Sequence, residues 1–419
     1  MRDTVGRTSV RVTAVVALGC LLAACGSGDR GAAPPAATTV TSVPASPSGA
    51  GPADPSESPS TEPATEPSTG PSTRKPRRVT LVATGDVLLH PPLWAQAKAD
   101  AARTGRGDLD FAPMLAPIKP IVAGADLALC HLETPLATAS GPFRGYPMFS
   151  GPPQVVDALD RTGYDACSTA SNHTFDQGAE GIRRTLDALD DAGIAHAGSA
   201  RTAEEAARTT VVDVHGVRVA LLSYTYGFNG NSYPGGDRWR ADVIDERRIL
   251  AEAAAARKDG AEIVVLSLHW GTEYVQTPNR QQADVSRRLA RSADLDVIIS
   301  HHAHVVEPIR KIGRTWVVYG LGNLMAWHST PGDPNAEGLL VRFTFTETKA
   351  HRFAVTRAEY EPIMVARAAP IRVLDVPKAL RDGTYGSSTR ARLQAALDRT
   401  TRVVTSLGAD DDGLVPITG

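Results

Sequence analysis

Cysteine is scarce in this chain, with four among 419 residues. Cys20 and Cys25 fall in the N-terminal segment, which leaves only Cys130 and Cys167 for the rest. That excludes a disulfide-dense scaffold, and any metal site has to be built without a set of thiolates. An excess of charge is missing too: 44 Lys and Arg stand against 46 Asp and Glu, a formal net charge of −2. The charges are dispersed and create no field that would draw nucleic acid or an anionic bilayer. The chain therefore does not read as a nucleic-acid binder. Long apolar runs are also absent. Val12–Ala24 is too short to span a membrane comfortably as a mature helix.

That run has a different reading. It follows Arg2, Arg7 and Arg11 and ends in Leu22-Ala23-Ala24-Cys25, a small residue before a Cys, as in the bacterial lipobox. Residues 1–25 are therefore expected to be a lipoprotein signal peptide, with Cys25 acylated as the new N-terminus. The alternative is an ordinary signal peptide with an incidental Cys. Two acyl chains suffice for stable anchoring, placing the protein on the outer face of the cytoplasmic membrane. Residues 26–77 are dominated by Pro, Ser, Thr, Ala, Gly and Glu, with almost no large apolar residue. Such a segment cannot repay the entropy of ordering and reads as a disordered tether. Cys130 and Cys167 lie in strand-like runs just upstream of His131-Leu132-Glu133 and Ser171-Asn172-His173, and could be neighbours on adjacent strands. An exported protein permits a disulfide between them, but buried free thiols are the expectation.

From Arg78 onward, short β-branched or aliphatic runs alternate with helix-like segments. Val79–Thr84, Leu127–His131, Asp165–Thr169, Ile263–Leu268 and Val297–Ser300 read as strands. Trp94–Arg103, Val155–Arg161, Glu180–Ala192, Asp242–Lys258 and Arg280–Ala293 read as helices. This rhythm indicates an α/β fold with parallel strand pairs. A hairpin over 209–224 and later strands at 316–319, 339–346 and 353–363 supply a second sheet. A two-sheet sandwich flanked by helices fits better than one doubly wound sheet. Residues 78–330 form the main domain; 331–419 add strands that complete the sandwich, a helix and a tail.

Six short motifs follow these runs in order: Thr84-Gly85-Asp86, His131-Leu132-Glu133, Ser171-Asn172-His173, His269-Trp270-Gly271, His302-Ala303-His304 and Gly320-Leu321-Gly322-Asn323. They supply two carboxylates, an amide oxygen and several imidazoles at strand ends. That inventory suits two divalent cations with mixed N/O ligands. Asp86 follows Gly85, whose lack of bulk allows a close turn. Glu133 ends an apolar strand and needs a partner that cations would provide. The Asn172 oxygen is a neutral acceptor, and the adjacent His173 could protonate a leaving group. Asp176 reads first as a helix N-cap and second as a residue that orients His173. In an extended backbone, His302 and His304 would face one side and His301 the other. His131 reads as a satisfied histidine. His90 could join the shell, but Pro91-Pro92 argues for a loop there.

Together the motifs resemble those of the CapA family of poly-γ-glutamate capsule synthesis proteins, relatives of the calcineurin-like metallophosphoesterases. The resemblance runs from about Val79 to Trp327. It is carried by Gly85-Asp86, by Ser171-Asn172-His173-Thr174-Phe175-Asp176-Gln177-Gly178, by His269-Trp270-Gly271-Thr272-Glu273-Tyr274, by His302-Ala303-His304-Val305 and by Tyr319-Gly320-Leu321-Gly322-Asn323-Leu324. Three positions depart from the family pattern: His131 and Ser171 where it has Asn, and Ala303 where it has Pro. None removes a proposed ligand. The resemblance implies a four-layer αββα metallophosphoesterase-type sandwich. It assigns Asp86, Glu133, Asn172, His269, His302 and His304 to two divalent metals (Mn, Fe or Zn), with His173 as the acid. Asp176, Glu273 and Asn323 are expected behind the ligands or on the substrate side. The substrate would be anionic, either poly-γ-glutamate or a phosphate ester. The lipid anchor would bring the chain to the membrane and to possible capsule-synthesis partners there. The competing functions are an extracytoplasmic phosphoesterase and a metal-stabilised binding module without turnover.

Overall fold

Strands that are apolar on both faces must be covered on both faces, and this requirement shapes the molecule. The computed structural model describes residues 75–328 and 333–418, all within the structural unit Ser72–Gly419. The expected signal peptide, Cys25 and nearly all of the expected tether lie outside the described residues. In chain order the strands are β1 (Arg78–Val87), β2 (Leu127–Leu132), β3 (Ala166–Ser168), β4 (Ala195–Ala197), β5 (Thr210–Val214), β6 (Val217–Thr225), β7 (Ile263–Trp270), β8 (Val297–His302), β9 (Ile309–Ile312), β10 (Thr315–Val318), β11 (Asn323–Met325), β12 (Glu337–Glu347), β13 (Phe353–Ala366), β14 (Arg372–Asp375) and β15 (Leu414–Pro416).

Two sheets result. The first runs β14-β13-β12-β1-β2-β3-β4, with β11 against β1 and β15 against β13; the second runs β5-β6-β7-β8-β10-β9. β1 to β4 are mutually parallel, as are β6, β7, β8 and β10. β12 joins β1 antiparallel, so residues beyond 331 continue the first sheet.

Alternation along each strand sorts side chains into layers. Leu81, Ala83, Leu127 and Leu129 from the first sheet share a core with Val219, Leu221, Ile263, Val265, Val297 and Ile299 from the second. The intervening residues point outward. Val82, Ala128 and Cys130 pack with Leu93, Val155, Leu159, Ile182, Leu186 and Leu189 of helices Pro91–Thr104, Gln154–Thr162 and Gly178–Asp191. On the far side, Ala220, Leu222, Val264, Leu266 and Ile298 pack with Ile249, Ala253, Val285 and Leu289 of helices Glu246–Lys258 and Arg280–Leu289. The four layers are helices, sheet, sheet and helices, the αββα sandwich that the family resemblance implied. Spacings such as Ile182, Leu186 and Leu189 place an apolar stripe on one helix face. Each such side chain, once buried, contributes about 1.5–3 kcal/mol.

Two expectations are corrected here. Pro91-Pro92 does not extend a loop; it opens helix Pro91–Thr104 after His90. Proline lacks only an N–H that the first helical turn would leave unpaired, and its φ is already helical. Cys130 and Cys167 are not free thiols but are joined as a disulfide. They are register partners on the parallel strands β2 and β3, the adjacent-strand placement that allows the bond.

Candidate metal centre

The layer between the sheets is apolar along most of its length and changes character at the carboxyl ends of the parallel strands. After Leu127 and Leu129, β2 presents His131; after Ile263 and Val265, β7 presents His269; after Val297 and Ile299, β8 presents His301. Asp86 is the register partner of His131, and His269 that of His301. Two sheets face to face thus bring one carboxylate and three imidazoles together at one edge. Gly85 permits the approach of β1: a Cβ there would lie 2.0 Å from the Gly322 carbonyl oxygen. That carbonyl accepts the Asp86 N–H at 2.9 Å.

The remaining groups arrive on loops just past the strand ends. Glu133 follows β2 and is buried, and neither of its carboxylate oxygens has a hydrogen-bond partner. Its Oε1 lies 3.8 Å from His304 Nε2 and 3.9 Å from His269 Nε2. Asn172 Oδ1 is 2.8 Å from His269 Nε2, while its amide nitrogen donates to Asn229 at 3.2 Å. His304 Nδ1 is 3.1 Å from Asp86 Oδ2 and 3.1 Å from Asn323 Oδ1. Asn323 in turn donates to the His304 and Asn335 carbonyls, so its oxygen must face the imidazole. The His302 N–H donates to Asp86 at 3.2 Å, and its Nδ1 is buried without a partner. All six residues proposed as ligands therefore meet in one cluster. Three of its groupings bring ligand atoms within 4.8 Å of one another: Asp86, Glu133 and His304; Asp86, His131 and His301; and Glu273, His302 and His304. Glu273 is the exposed member. A buried carboxylate with two unmatched oxygens, ringed by nitrogen and oxygen donors, fits hard or borderline divalent cations.

Several roles differ from those read in the sequence. β8 continues through His302, so strand alternation puts His301 on the inner face, where its Nδ1 donates to Asp86 Oδ1 at 3.1 Å. His302 and His304 meet through left-handed backbone (φ 91° and 55°), not through alternation in a strand. His131 is part of the cluster, stacked on His301 with ring centroids 4.1 Å apart. Helix Gly178–Asp191 is capped by Gln177 without a side-chain bond, and Asp176 instead accepts from His173 Nδ1 at 2.7 Å. His328 was missed, since no motif contains it; its ring lies 4.5 Å from that of His304 and its Nδ1 is 3.2 Å from the Tyr274 hydroxyl.

A family model described as "Bacterial capsule synthesis protein PGA_cap" matches residues 80–327, more than half of the chain. The chain belongs to this family. Among its relatives are the capsule biosynthesis protein CapA of Bacillus anthracis (28% identical, covering 41% of this chain and 42% of that one) and the PGA biosynthesis protein CapA of Bacillus subtilis (28%, covering 52% and 56%). The chain spans about half the length of these curated relatives. Among solved structures, a calcineurin-like phosphoesterase from Bacillus subtilis superposes with a TM-score of 0.40 at 12% identity, covering 77% of this chain and 99% of that one.

In this PGA_cap member the cluster's charges are mutually dependent. Burial pushes the Glu133 carboxyl well above the usual carboxylate range. Burial acts on Asp86 in the same sense, but hydrogen bonds from His301 and His304 outweigh it and hold that carboxyl well below its ordinary value. His304 is pushed down by burial, yet the Glu133 and Asp86 carboxylates raise it to about 9. Burial holds His131 and His269 well below the usual imidazole value and His302 at about 3. Neutral imidazoles are the form that binds a cation.

Proposed function

We propose that the chain is a surface-anchored, CapA-like protein that works in the assembly, export or attachment of poly-γ-glutamate through a two-metal, hydrolase-type site. The observation that carries this reading is Glu133, buried without a hydrogen-bond partner beside His269 and His304, in the cluster that also gathers Asp86, Asn172 and His302. Those six residues would hold the cations. Cations bound there would polarise an anionic substrate's oxygens and make water more acidic. Asn323 holds the ring of His304, and His301 holds Asp86. His173 gives its Nδ1–H to Asp176, which leaves Nε2 to carry or release a proton at the substrate. Support for the capsule pathway comes from the family and from the printed functions of the two CapA relatives.

The His173–Asp176 pair favours a second reading, an extracytoplasmic phosphoesterase, because a placed acid suits an ester leaving group. The deciding experiment measures metal content in protein never exposed to chelator, then assays it on phosphoesters and on γ-glutamyl chains. Less than one metal per chain, with none taken up on titration, would remove the cation centre. Cleavage of phosphoesters but not of γ-glutamyl chains would favour the second reading. We also propose that Cys25 anchors the protein at the outer face of the cytoplasmic membrane. Cys25→Ala should release it from the membrane fraction with its fold intact, and a variant that resists salt and alkaline washing would refute the anchor.

A further inference from the structure

We infer that His131 is a positioning residue that sets the tautomer of His269 through a relay of neutral hydrogen bonds ending on Ser168. The inference rests on the reading of the centre as a cation site. Ser168 Oγ lies 2.8 Å from His131 Nδ1, His131 Nε2 lies 2.9 Å from His269 Nδ1, and His269 Nε2 lies 2.8 Å from Asn172 Oδ1. All four groups are buried, so a nitrogen without a match has no solvent to turn to.

The direction of the relay follows from the acceptor at its end. The Asn172 oxygen only accepts, so with these side chains in contact His269 carries its proton on Nε2. Its Nδ1 then accepts from His131 Nε2–H, and His131 Nδ1 accepts from the Ser168 hydroxyl. A cation needs the Nε2 lone pair of His269, which moves the imidazole proton to Nδ1. His131 must then accept on Nε2 and donate from Nδ1, and Ser168 must accept. Each ring keeps one proton in both arrangements, so the exchange creates no charge. Ser168 can end the relay in either direction because a hydroxyl both donates and accepts; its proton turns to the Cys130 carbonyl at 3.4 Å. His131 and Ser168 are register partners on β2 and β3, one position beyond the Cys130–Cys167 disulfide that ties the same two strands. An Asn at position 131 offers an amide oxygen to His269 Nδ1–H and so preserves the cation-binding tautomer.

The test compares the full-length protein with His131→Phe, His131→Asn and Ser168→Ala, using Mn²⁺ affinity from chelator competition and metal count at saturation. His131→Phe should bind about 10–100-fold more weakly with an unchanged metal count, and His131→Asn should recover most of that loss. Ser168→Ala should fall between them. Wild-type affinity in His131→Phe would overturn the inference. Loss of one whole metal equivalent at saturation would overturn it too, by making His131 a ligand. Histidine ¹⁵N spectra read the relay independently: His131 should carry its proton on Nε2 without metal and on Nδ1 with Zn²⁺. If wild-type protein takes up no metal, the cation reading fails, and the metal-free spectrum still decides the relay, since a proton on Nδ1 there would refute it.

Discussion

His173 and His269 are both buried imidazoles in adjoining motifs, but their partners separate them. His269 meets Asn172 and comes within 3.9 Å of Glu133, while His173 spends its Nδ1 proton on Asp176. His269→Ala should therefore lower metal occupancy, with activity falling alongside it. His173→Ala should keep its metal and lose about 10²–10⁴-fold in rate on esters with poor leaving groups, but much less on p-nitrophenyl esters. Assays on both ester types with metal content measured in parallel check this; metal loss in His173→Ala would make it a ligand. Glu133 offers a second test. Its buried oxygens lack hydrogen-bond partners, a cost to stability that a bound cation would recover. Glu133→Met should raise the stability of the metal-free protein by about 1–3 kcal/mol while weakening metal uptake. Denaturant unfolding in chelator, beside metal titration, measures both, and a less stable metal-free variant would contradict the argument.

Among the elements, the ends of β1 and β8 matter most. Asp86 sits where β1 changes register against β2 and where β11 closes against it. Gly85 has no room for a side chain there, because its Cβ would strike Gly322 backbone. Gly85→Ala should displace Asp86, lowering stability by about 1–3 kcal/mol and metal affinity together. Thermal unfolding with metal titration would show it, and a variant of wild-type stability would mean that the backbones separate at little cost. Strand identity along β1, β2, β7 and β8 was legible because their apolar runs are short and end in Gly, Glu or His. The strand ends were not. The apolar run of β8 stops at Ser300 while the strand continues through His302, and that difference of two residues reverses the expected facing of His301. The left-handed turns at His302 and His304 are held by contacts from outside the segment, such as the Tyr274 N–H donating to the Ala303 carbonyl at 2.8 Å.

For the molecule as a whole, eight of its histidines cluster at this edge, and several are held neutral by burial. Burial holds His131 and His269 well below their ordinary value, His90 at about 4, His302 at about 3 and His328 at about 2. A histidine depressed in this way contributes stability that is present above its unfolded value near 6.5 and is lost as pH falls toward the folded value. His90 alone corresponds to on the order of 3 kcal/mol. Glu133 is raised by burial and works in the opposite sense, as do Asp242, Glu307 and Glu361, which burial raises to about 7, 8 and 9. His304, raised to about 9, loses its contribution only as pH climbs from 6.5 through 9. Metal-free protein should therefore lose the His90 contribution between pH 6.5 and 4, while the raised carboxyls offset part of the summed histidine loss. Denaturant midpoints in chelator across that range for wild type and His90→Gln would isolate it, and parallel profiles would mean that this ring is solvated.

The sequence by itself determined the α/β class and the two-sheet sandwich, and its motifs, through the family resemblance, pointed to the six residues proposed as ligands. Period-2 alternation, turn residues and polar groups at strand ends are local signals that need no knowledge of what lies opposite. Only the tertiary structure decided that Cys130 meets Cys167, that Asp176 serves His173 and that His131 and His301 line the centre. Apart from the local His173–Asp176 contact, those pairings join strands and loops far apart in the chain. Each depends on register between strands and on the facing of one sheet toward the other, and no single segment encodes either.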